Sequence, residues 1–178
     1  MIMTKLAALF FGLFLSYSSF SQTKDSSFLV FGDGFSFSVK EPKGWTGDIE
    51  SAKKYEANII FYKDKTELES GGAIIQILAF TKQDEQTNKD LEADITSYKR
   101  DYPKAKLQNF DANHKEYKCF SKIVYVDKSF YQYIVYVNGG TKYKTGLSVA
   151  MNISKRPATP DELKSYLDIV TSLTIFAK

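Results

Sequence analysis

Four strand-like segments between residues 105 and 153 constrain the fold of this chain more than any other feature. They are rich in β-branched and aromatic residues, which favour strands, and span 105–110, 116–126, 129–137 and 144–153. The short spacers between them, such as 127–128 and 138–140, carry Asp, Asn and Gly. Spacers of this kind reverse the chain, so consecutive segments should pair as hairpins. The sequence therefore predicts a four-stranded antiparallel meander.

Three further segments upstream have strand character, and two segments have helical periodicity. The strands are predicted at 35–39, 57–63 and 73–81, the last long, mostly apolar and therefore central. A helix is predicted over 87–103, where Leu91, Ile95, Tyr98 and Tyr102 form one stripe and Pro103 ends it. A last helix begins at 159–162 (TPDE), a capping box with proline at the first helical position. These elements predict an α+β fold, a mainly antiparallel sheet of about seven strands with two main packed helices in an α/β/α-type sandwich.

The N-terminus has the pattern of a cleaved secretion signal. Lys5 precedes an apolar run at 6–15, and Ser19 and Ser21 would occupy the −3 and −1 positions of a cut before Gln22. The run is too short to span a bilayer, and no lipid-accepting cysteine follows it. We expect a signal peptide at 1–21, a flexible leader at 22–27 and a single α+β domain at 28–178. The mature chain should be soluble, without a transmembrane anchor, and periplasmic or secreted.

Two short segments resemble a known superfamily. Residues 33–39 (DGFSFSV), with Pro42 and the Gly44-Trp45 turn, resemble the first strand of the PsbP/Mog1/DcrB-like superfamily, and 169–173 (IVTSL) resembles its terminal segment. The resemblance covers the chain from about residue 28 to 176 and implies an antiparallel sheet between helices. Members of that superfamily are not generally enzymes; some attach to photosystem II, some bind a small GTPase, and many bacterial envelope members have no assigned role. The resemblance implies a binding or assembly role and no catalytic motif.

Charge and residue usage argue against several chemistries. The net charge of +3 is too balanced for a nucleic-acid binder, and only Arg100 and Arg156 could clamp a phosphate in bidentate fashion. His114 and Cys119 are the only residues of their types, too few for a zinc site. We expect Cys119 to be buried and His114 to be solvated in a turn, so a Cys–His dyad is not favoured. Neither a G-x-S-x-G elbow nor a phosphate-binding loop occurs, and the sequence points to no metal, cofactor or catalytic residue.

The aromatic surplus is the main candidate for a binding surface. The chain has 12 Tyr and 14 Phe, many of them in the meander. If helices cover only one face of the sheet, the other face exposes tyrosines to a partner; if both faces are covered, they belong to the core. The candidate residues are Tyr125, Tyr131, Tyr133, Tyr136 and Tyr143. Trp45 is expected to plug the core, with ligand stacking as its alternative.

Three functions remain open from the sequence. The first is a non-catalytic secreted or periplasmic protein that binds an envelope partner, as a partner-binding or assembly module. The second is a small-ligand or lipid-binding domain with a pocket between helix and sheet. The third is a hydrolase that uses an Asp/Glu pair, which the sequence does not locate because carboxylates occur throughout.

Overall fold

The computed structural model describes residues 26–83 and 87–176. The predicted signal peptide at 1–21 and its cut before Gln22 lie outside these residues. The described part contains ten strands, three α-helices and one 3₁₀ helix. The strands are β1 Ser27–Gly32, β2 Phe35–Lys40, β3 Thr46–Asp48, β4 Ile59–Tyr62, β5 Ile74–Thr81, β6 Lys106–Asn109, β7 Lys118–Val126, β8 Phe130–Asn138, β9 Thr145–Ser154 and β10 Thr174–Phe176. The helices are α1 Lys65–Ser70, α2 Asn88–Asp101 and α3 Pro160–Ser172, and the 3₁₀ helix is Ser51–Tyr55.

A seven-stranded antiparallel sheet forms the centre of the fold, in the order β3-β4-β5-β9-β8-β7-β6. The predicted meander is confirmed, because β6, β7, β8 and β9 follow one another in the sheet as they do in the chain. β5 joins the meander by pairing with β9, with Ile77 opposite Val149. It is an interior strand, as its apolar sequence predicted. The α+β class with a sheet of about seven strands is therefore confirmed.

One face of this sheet is covered by α3 and by a second, three-stranded sheet in the order β1-β2-β10. The predicted capping box is present: the Thr159 hydroxyl accepts from the Glu162 N–H, and the Glu162 carboxylate accepts from the Thr159 N–H. The core on this side is continuous and includes Phe37, Tyr166 and Ile169. The sequence did not predict this small sheet. A strand pattern does not show which strands pair, so all predicted strands were assigned to one large sheet.

The opposite face is covered by two separate groups of elements. The helix α2 packs Leu91 and Ile95 against Val124 and Ile134. The 3₁₀ helix and α1 cover a second, smaller apolar cluster at the other end, which contains Ile60 and Ile74. Both faces of the sheet are therefore covered, and the α/β/α-type layering is confirmed.

The helix α2 begins where the sequence predicted, and its first turn has no side-chain cap. Thr87 occupies the N-cap position, and its hydroxyl makes no capping hydrogen bond. Across residues 26–83 and 87–176, no helix combines the length and the apolarity needed to cross a membrane.

Candidate functional site

The tyrosines predicted to form an exposed patch do not share one surface. Tyr133 and Tyr136 are only 6% and 4% exposed, so for these two candidates the core alternative holds and the exposed one does not. Alternation along β8 sends them to opposite faces. Tyr133 packs against Phe110 and Tyr166 on the α3 side, and its hydroxyl accepts from the Ala158 N–H at 3.1 Å.

Tyr136 lies on the α2 side of the sheet. Its ring contacts Phe80, and its hydroxyl donates to the Asp94 carboxylate. Burial, with the Asp94 carboxylate beside it, raises the pKa of Tyr136. The physical reason for both burials is that helices cover both faces of the sheet.

The other three tyrosines are half-buried and lie in two different places. Tyr125 and Tyr131 face each other across β7 and β8, with parallel rings 5.3 Å apart. Tyr143 packs beside Gly139 in the loop before β9, and the Lys142 amino group lies 4.8 Å from its ring centroid. The five tyrosines thus contribute to packing at several points, and the structure brings only Tyr125 and Tyr131 together.

His114 is not the solvated turn residue that the sequence predicted. Its Nδ1 accepts hydrogen bonds from the backbone N–H groups of Glu116 and Tyr117, at 3.1 and 3.2 Å. Nε2 therefore carries the proton and donates to the carbonyl oxygen of Leu173 at 3.0 Å. The imidazole connects the loop before β7 to the start of β10, which is a structural role.

Cys119 and Trp45 also belong to the packing. Cys119 is half-buried, and desolvation raises the pKa of its thiol to about 11, which disfavours the nucleophilic thiolate. Trp45 is buried in the main core, as predicted, with the Lys63 amino group 5.8 Å from its ring centroid.

A groove opens on the α2 side of the large sheet, in the gap between the two groups of elements that cover that face. One wall comes from the 3₁₀ helix and α1, the other from the C-terminal end of α2, and the floor from β5, β8 and β9. Its volume is about 310 Å³. The residues that line it are Tyr55, Leu68, Gly71, Gly72, Ile74, Tyr98, Tyr102, Phe130, Tyr131, Asn152, Ile153 and Ser154. We call this the aromatic groove.

The wall on the α2 side is a cluster of three aromatic rings. Tyr98 and Tyr102 are four residues apart and therefore lie on the same side of α2. Tyr102 meets Phe130 edge to face, with ring centroids 5.0 Å apart, and Tyr98 lies 6.4 Å from the same ring. Because the helix ends before Pro103, Tyr102 stands at the rim and is 48% exposed. The cluster presents aromatic surface to the groove and to solvent.

The opposite wall depends on a glycine. α1 ends at Gly71, whose φ of 84° is in the left-handed region. A Cβ at this position would also lie 2.8 Å from the Ser154 Oγ. Glycine therefore lets the end of α1 approach β9 closely, which closes the groove at that end.

A row of hydrogen-bonded neutral amides includes Asn152, which lies on the floor of the groove. The Gln132 Nε2 donates to Asn152 Oδ1 at 2.7 Å, and the Asn152 Nδ2 donates to Gln76 Oε1 at 3.0 Å. The Gln132 side chain also hydrogen-bonds the Tyr98 hydroxyl, which opposes the rise in the pKa of Tyr98 that burial causes. The row therefore runs from α2 through β8 and β9 to β5. We call Gln132, Asn152 and Gln76 the amide row.

One atom of the amide row lacks a partner. Gln132 is 8% exposed, and its Oε1 is a buried acceptor with no hydrogen bond. An unpaired buried acceptor carries a desolvation cost of about 1–3 kcal/mol. An O–H or N–H donor that reached this oxygen would remove that cost.

The amide row was missed in the sequence, although a signal for it exists. In three otherwise mainly apolar strand segments, amide residues have their side chains on the face that α2 covers: one each in β5 and the second half of β9, and in β8 Gln132 together with Asn138 at the strand end. A single amide in an apolar strand is costly to bury unless it is hydrogen-bonded, so three of them predict a shared network.

A second hollow lies between α2 and the strands β6 and β7. Its volume is about 360 Å³, and it includes the charged residues Glu92, Asp111 and Lys122 together with Cys119. The aromatic groove differs from it in having no charged residue in its lining, although 25% of the chain is charged. Its chemistry is that of a neutral binding site, with apolar walls and a few convergent polar groups.

No family model matches this sequence, and no curated protein matches it. Among solved structures, the chain is similar to a protein of Bacteroides thetaiotaomicron VPI-5482, with a TM-score of 0.49 and 14% identity over 85% of this chain and 48% of that one. It is also similar to the solution structure of cyanobacterial PsbP (CyanoP) from Synechocystis sp. PCC 6803, with a TM-score of 0.38 and 14% identity over 85% of this chain and 92% of that one. The chain spans about half the length of the Bacteroides protein. At these TM-scores neither similarity supports a functional conclusion, and membership of the superfamily stays a prediction.

Proposed function

We propose that this protein is a non-catalytic binding module and that the aromatic groove is its binding site. The observation that carries the proposal is the combination of an aromatic wall with Asn152, one member of the amide row, in an uncharged lining. Tyr102, at the end of α2, is half-exposed at the rim, whereas the aromatic residues of the meander are largely engaged in packing. Aromatic surface with a few fixed polar groups is the usual composition of a small-molecule site.

The roles of the reactive side chains support a non-enzymatic module. His114 is engaged by three backbone groups, and the raised pKa of the Cys119 thiol disfavours its thiolate. Within the described ranges, no group of three or more His, Cys, Asp or Glu residues is arranged to hold a metal ion. A carboxylate hydrolase needs two converging carboxyl groups, and none lines the aromatic groove.

The position of the groove favours a small ligand over the envelope partner that the sequence placed first. The groove lies between helices and sheet, where the ligand-binding hypothesis placed a pocket. The tyrosines expected to contact a partner are divided between the two faces of the sheet, and two of them are buried. A partner protein remains the second candidate, and the experiment below distinguishes the two.

We further propose that the module acts outside the cytoplasm, in the periplasm or as a secreted protein. The support is the charged, apolar and small-residue pattern of residues 1–21. The superfamily resemblance is compatible with such a role.

Amide chemical shifts measured with three classes of probe test the binding proposal. The probes are soluble neutral oligosaccharides, the fatty acid laurate and short aromatic peptides, each added to the isotope-labelled chain from residue 22 onward. We expect at least one class to shift the amides of Leu68, Tyr98, Tyr102 and Asn152 in a saturable manner. Shifts that lie only elsewhere, or no shifts with any class, would overturn the proposal. If only a peptide shifts these amides, the partner-protein candidate takes first place.

A further inference from the structure

We infer that the ligand of the aromatic groove is a neutral sugar ring, free or as part of a glycan. The inference rests on the proposed function, because it assumes that the groove is a binding site. Its basis is that the groove joins aromatic surface and the Asn152 amide in an uncharged lining, and that Asn152 is hydrogen-bonded to Gln132, whose Oε1 lacks a partner.

The aromatic wall matches one side of a sugar ring. A pyranose ring has a face of C–H groups, which packs on the electron-rich face of an aromatic ring. Tyr102, half-exposed and held edge to face against Phe130, offers such a surface at the rim. Tyr55 provides a second aromatic residue on the opposite wall. A ligand between these walls would contact aromatic groups from both sides.

The amide row matches the edge of a sugar ring. A hydroxyl group both donates and accepts, so neighbouring hydroxyls complement a row of carbonyl acceptors and N–H donors. In the amide row, the Gln132 Oε1 lacks a donor, and Asn152 lines the groove floor beside it. The Gln132 Nε2 donates to Asn152 Oδ1, and its Oε1 has no partner. Asn152 is the member of the amide row that a ligand hydroxyl reaches, because it lines the groove.

The absence of charge separates a neutral sugar from other ligands. No lysine or arginine lines the groove to pair with a phosphate or carboxylate, and no Asp or Glu lines it to pair with an ammonium group. An alkyl chain would cover the Asn152 amide without offering hydrogen bonds, which is unfavourable. The volume of about 310 Å³ lies at the low end of the range for small-molecule sites, which suits one or two rings.

The test is a titration of the chain from residue 22 onward with a panel of soluble oligomers of glucose, mannose, galactose, xylose and N-acetylglucosamine. We expect one of them to bind with saturable shifts at Tyr102 and Asn152. The corresponding uronic acid should bind at least tenfold more weakly, because its carboxylate would lose water without gaining a cation. A uronic acid that binds as tightly as the neutral sugar would contradict the inference.

Two variants and a matched control locate the site. Tyr102→Ala removes the exposed ring, and Asn152→Leu keeps a similar volume while it removes the amide; each should weaken sugar binding at least tenfold. Phe31→Ala is the control, because Phe31 is an exposed aromatic residue in the small sheet on the other side of the molecule. The Phe31→Ala variant should bind the sugar as tightly as the unmodified chain. If circular dichroism shows that Asn152→Leu is unfolded, the Tyr102→Ala variant alone tests the site. Tyr102 is half-exposed, so this substitution should leave the fold intact.

The possible failures are distinguishable. If laurate or a peptide shifts the groove amides and no sugar does, the sugar inference is wrong and the binding proposal stands. If no probe shifts the groove amides, both are wrong. If a sugar binds but Tyr102→Ala and Asn152→Leu bind it as tightly as the unmodified chain, the inference is wrong about the site.

Discussion

At the scale of single residues, His114 shows how one side chain can hold distant parts of the chain together. Its ring stacks on Tyr117 with centroids 4.4 Å apart and donates to the Leu173 carbonyl. The Tyr117 hydroxyl accepts from the Ile175 N–H at 3.0 Å, so the two rings together hold the start of β10. Loss of the imidazole would leave three backbone groups without their side-chain partner, two of them part-buried.

We predict that His114→Ala lowers the free energy of unfolding by about 1–3 kcal/mol, because three backbone hydrogen bonds lose their side-chain partner. Urea unfolding followed by circular dichroism measures the change. Lys115→Ala, at an exposed neighbouring position, is the control and should stay within about 0.5 kcal/mol. Equal midpoints for the two variants would show that the imidazole contacts do not stabilise the fold.

Glu162 is the residue whose charge the fold stabilises most clearly. Its side chain is 2% exposed and receives two hydrogen bonds of 2.7 Å from the Arg156 guanidinium, in addition to the Thr159 N–H. The Arg156 hydrogen bonds lower the pKa of Glu162 from 4.5 to about 2. A carboxyl group with a lowered pKa contributes stability above its unfolded pKa and loses it as the pH falls through its folded pKa.

We predict that Glu162→Gln lowers the free energy of unfolding at pH 7 by at most about 3 kcal/mol. The difference between the two proteins should shrink as the pH falls from 4.5 towards 2, the interval between the two pKa values. Unfolding curves at several pH values measure it. Asp168→Asn, which removes an exposed pair with Lys164, is the matched control and should cost less than about 1 kcal/mol. A pH-independent difference would contradict the assignment to ionised Glu162.

At the scale of elements, the docking of α3 depends on a tyrosine whose hydroxyl reaches the sheet. Tyr166 is fully buried, and its hydroxyl donates to the Val149 carbonyl at 2.7 Å, with the Tyr133 carbonyl 3.1 Å away. These acceptors belong to β9 and β8, so one side chain sets the height of the helix over two central strands. Burial raises the pKa of Tyr166, which keeps it a donor.

We predict that Tyr166→Phe destabilises the protein by about 1–2 kcal/mol, because the ring still packs while a buried hydrogen bond is lost. Thermal and urea unfolding measure the difference. Tyr102→Phe is the control, because its side chain is half-exposed, and it should change stability by less than about 0.5 kcal/mol. A Tyr166→Phe variant as stable as the unmodified chain would mean that the ring alone docks α3.

At the scale of the whole molecule, the two faces of the large sheet have different characters. The α3 face has one continuous apolar core, whereas the α2 face has two smaller clusters. α2 covers one of these clusters, and the short α1 with the 3₁₀ helix covers the other. These two groups of elements leave a gap between them on the sheet, and the aromatic groove lies in this gap. A single long helix over this face would have filled the groove.

We predict that protein recovered from cells begins at Gln22, because Ser19 and Ser21 offer small side chains at the −3 and −1 positions. Intact mass spectrometry checks this directly. Leu13→Arg, which interrupts the apolar run, should prevent processing and give the mass of the full chain. A full-length mass for the unmodified protein would exclude the cut.

The sequence by itself determined the long elements of this fold. Periodicity and short spacers located the meander, β5, α2 and α3 because each of these elements buries a regular apolar face. The predicted capping box at 159–162 is confirmed, and it could be predicted because it forms from local contacts within one turn. By contrast, α1 was missed, since six mostly polar residues give no apolar period.

Only the tertiary structure decided where the candidate site lies. Local pattern shows which strand face is apolar but not which elements cover it, so the sequence left open whether Tyr133 and Tyr136 are exposed or buried. The hydrogen bonds of the amide row join Gln132 to Asn152, 20 positions apart, and Asn152 to Gln76, 76 positions apart, and strand order alone makes them neighbours. The groove depends on a gap between two separately covered parts of one face, and pairing and packing between distant segments create that gap.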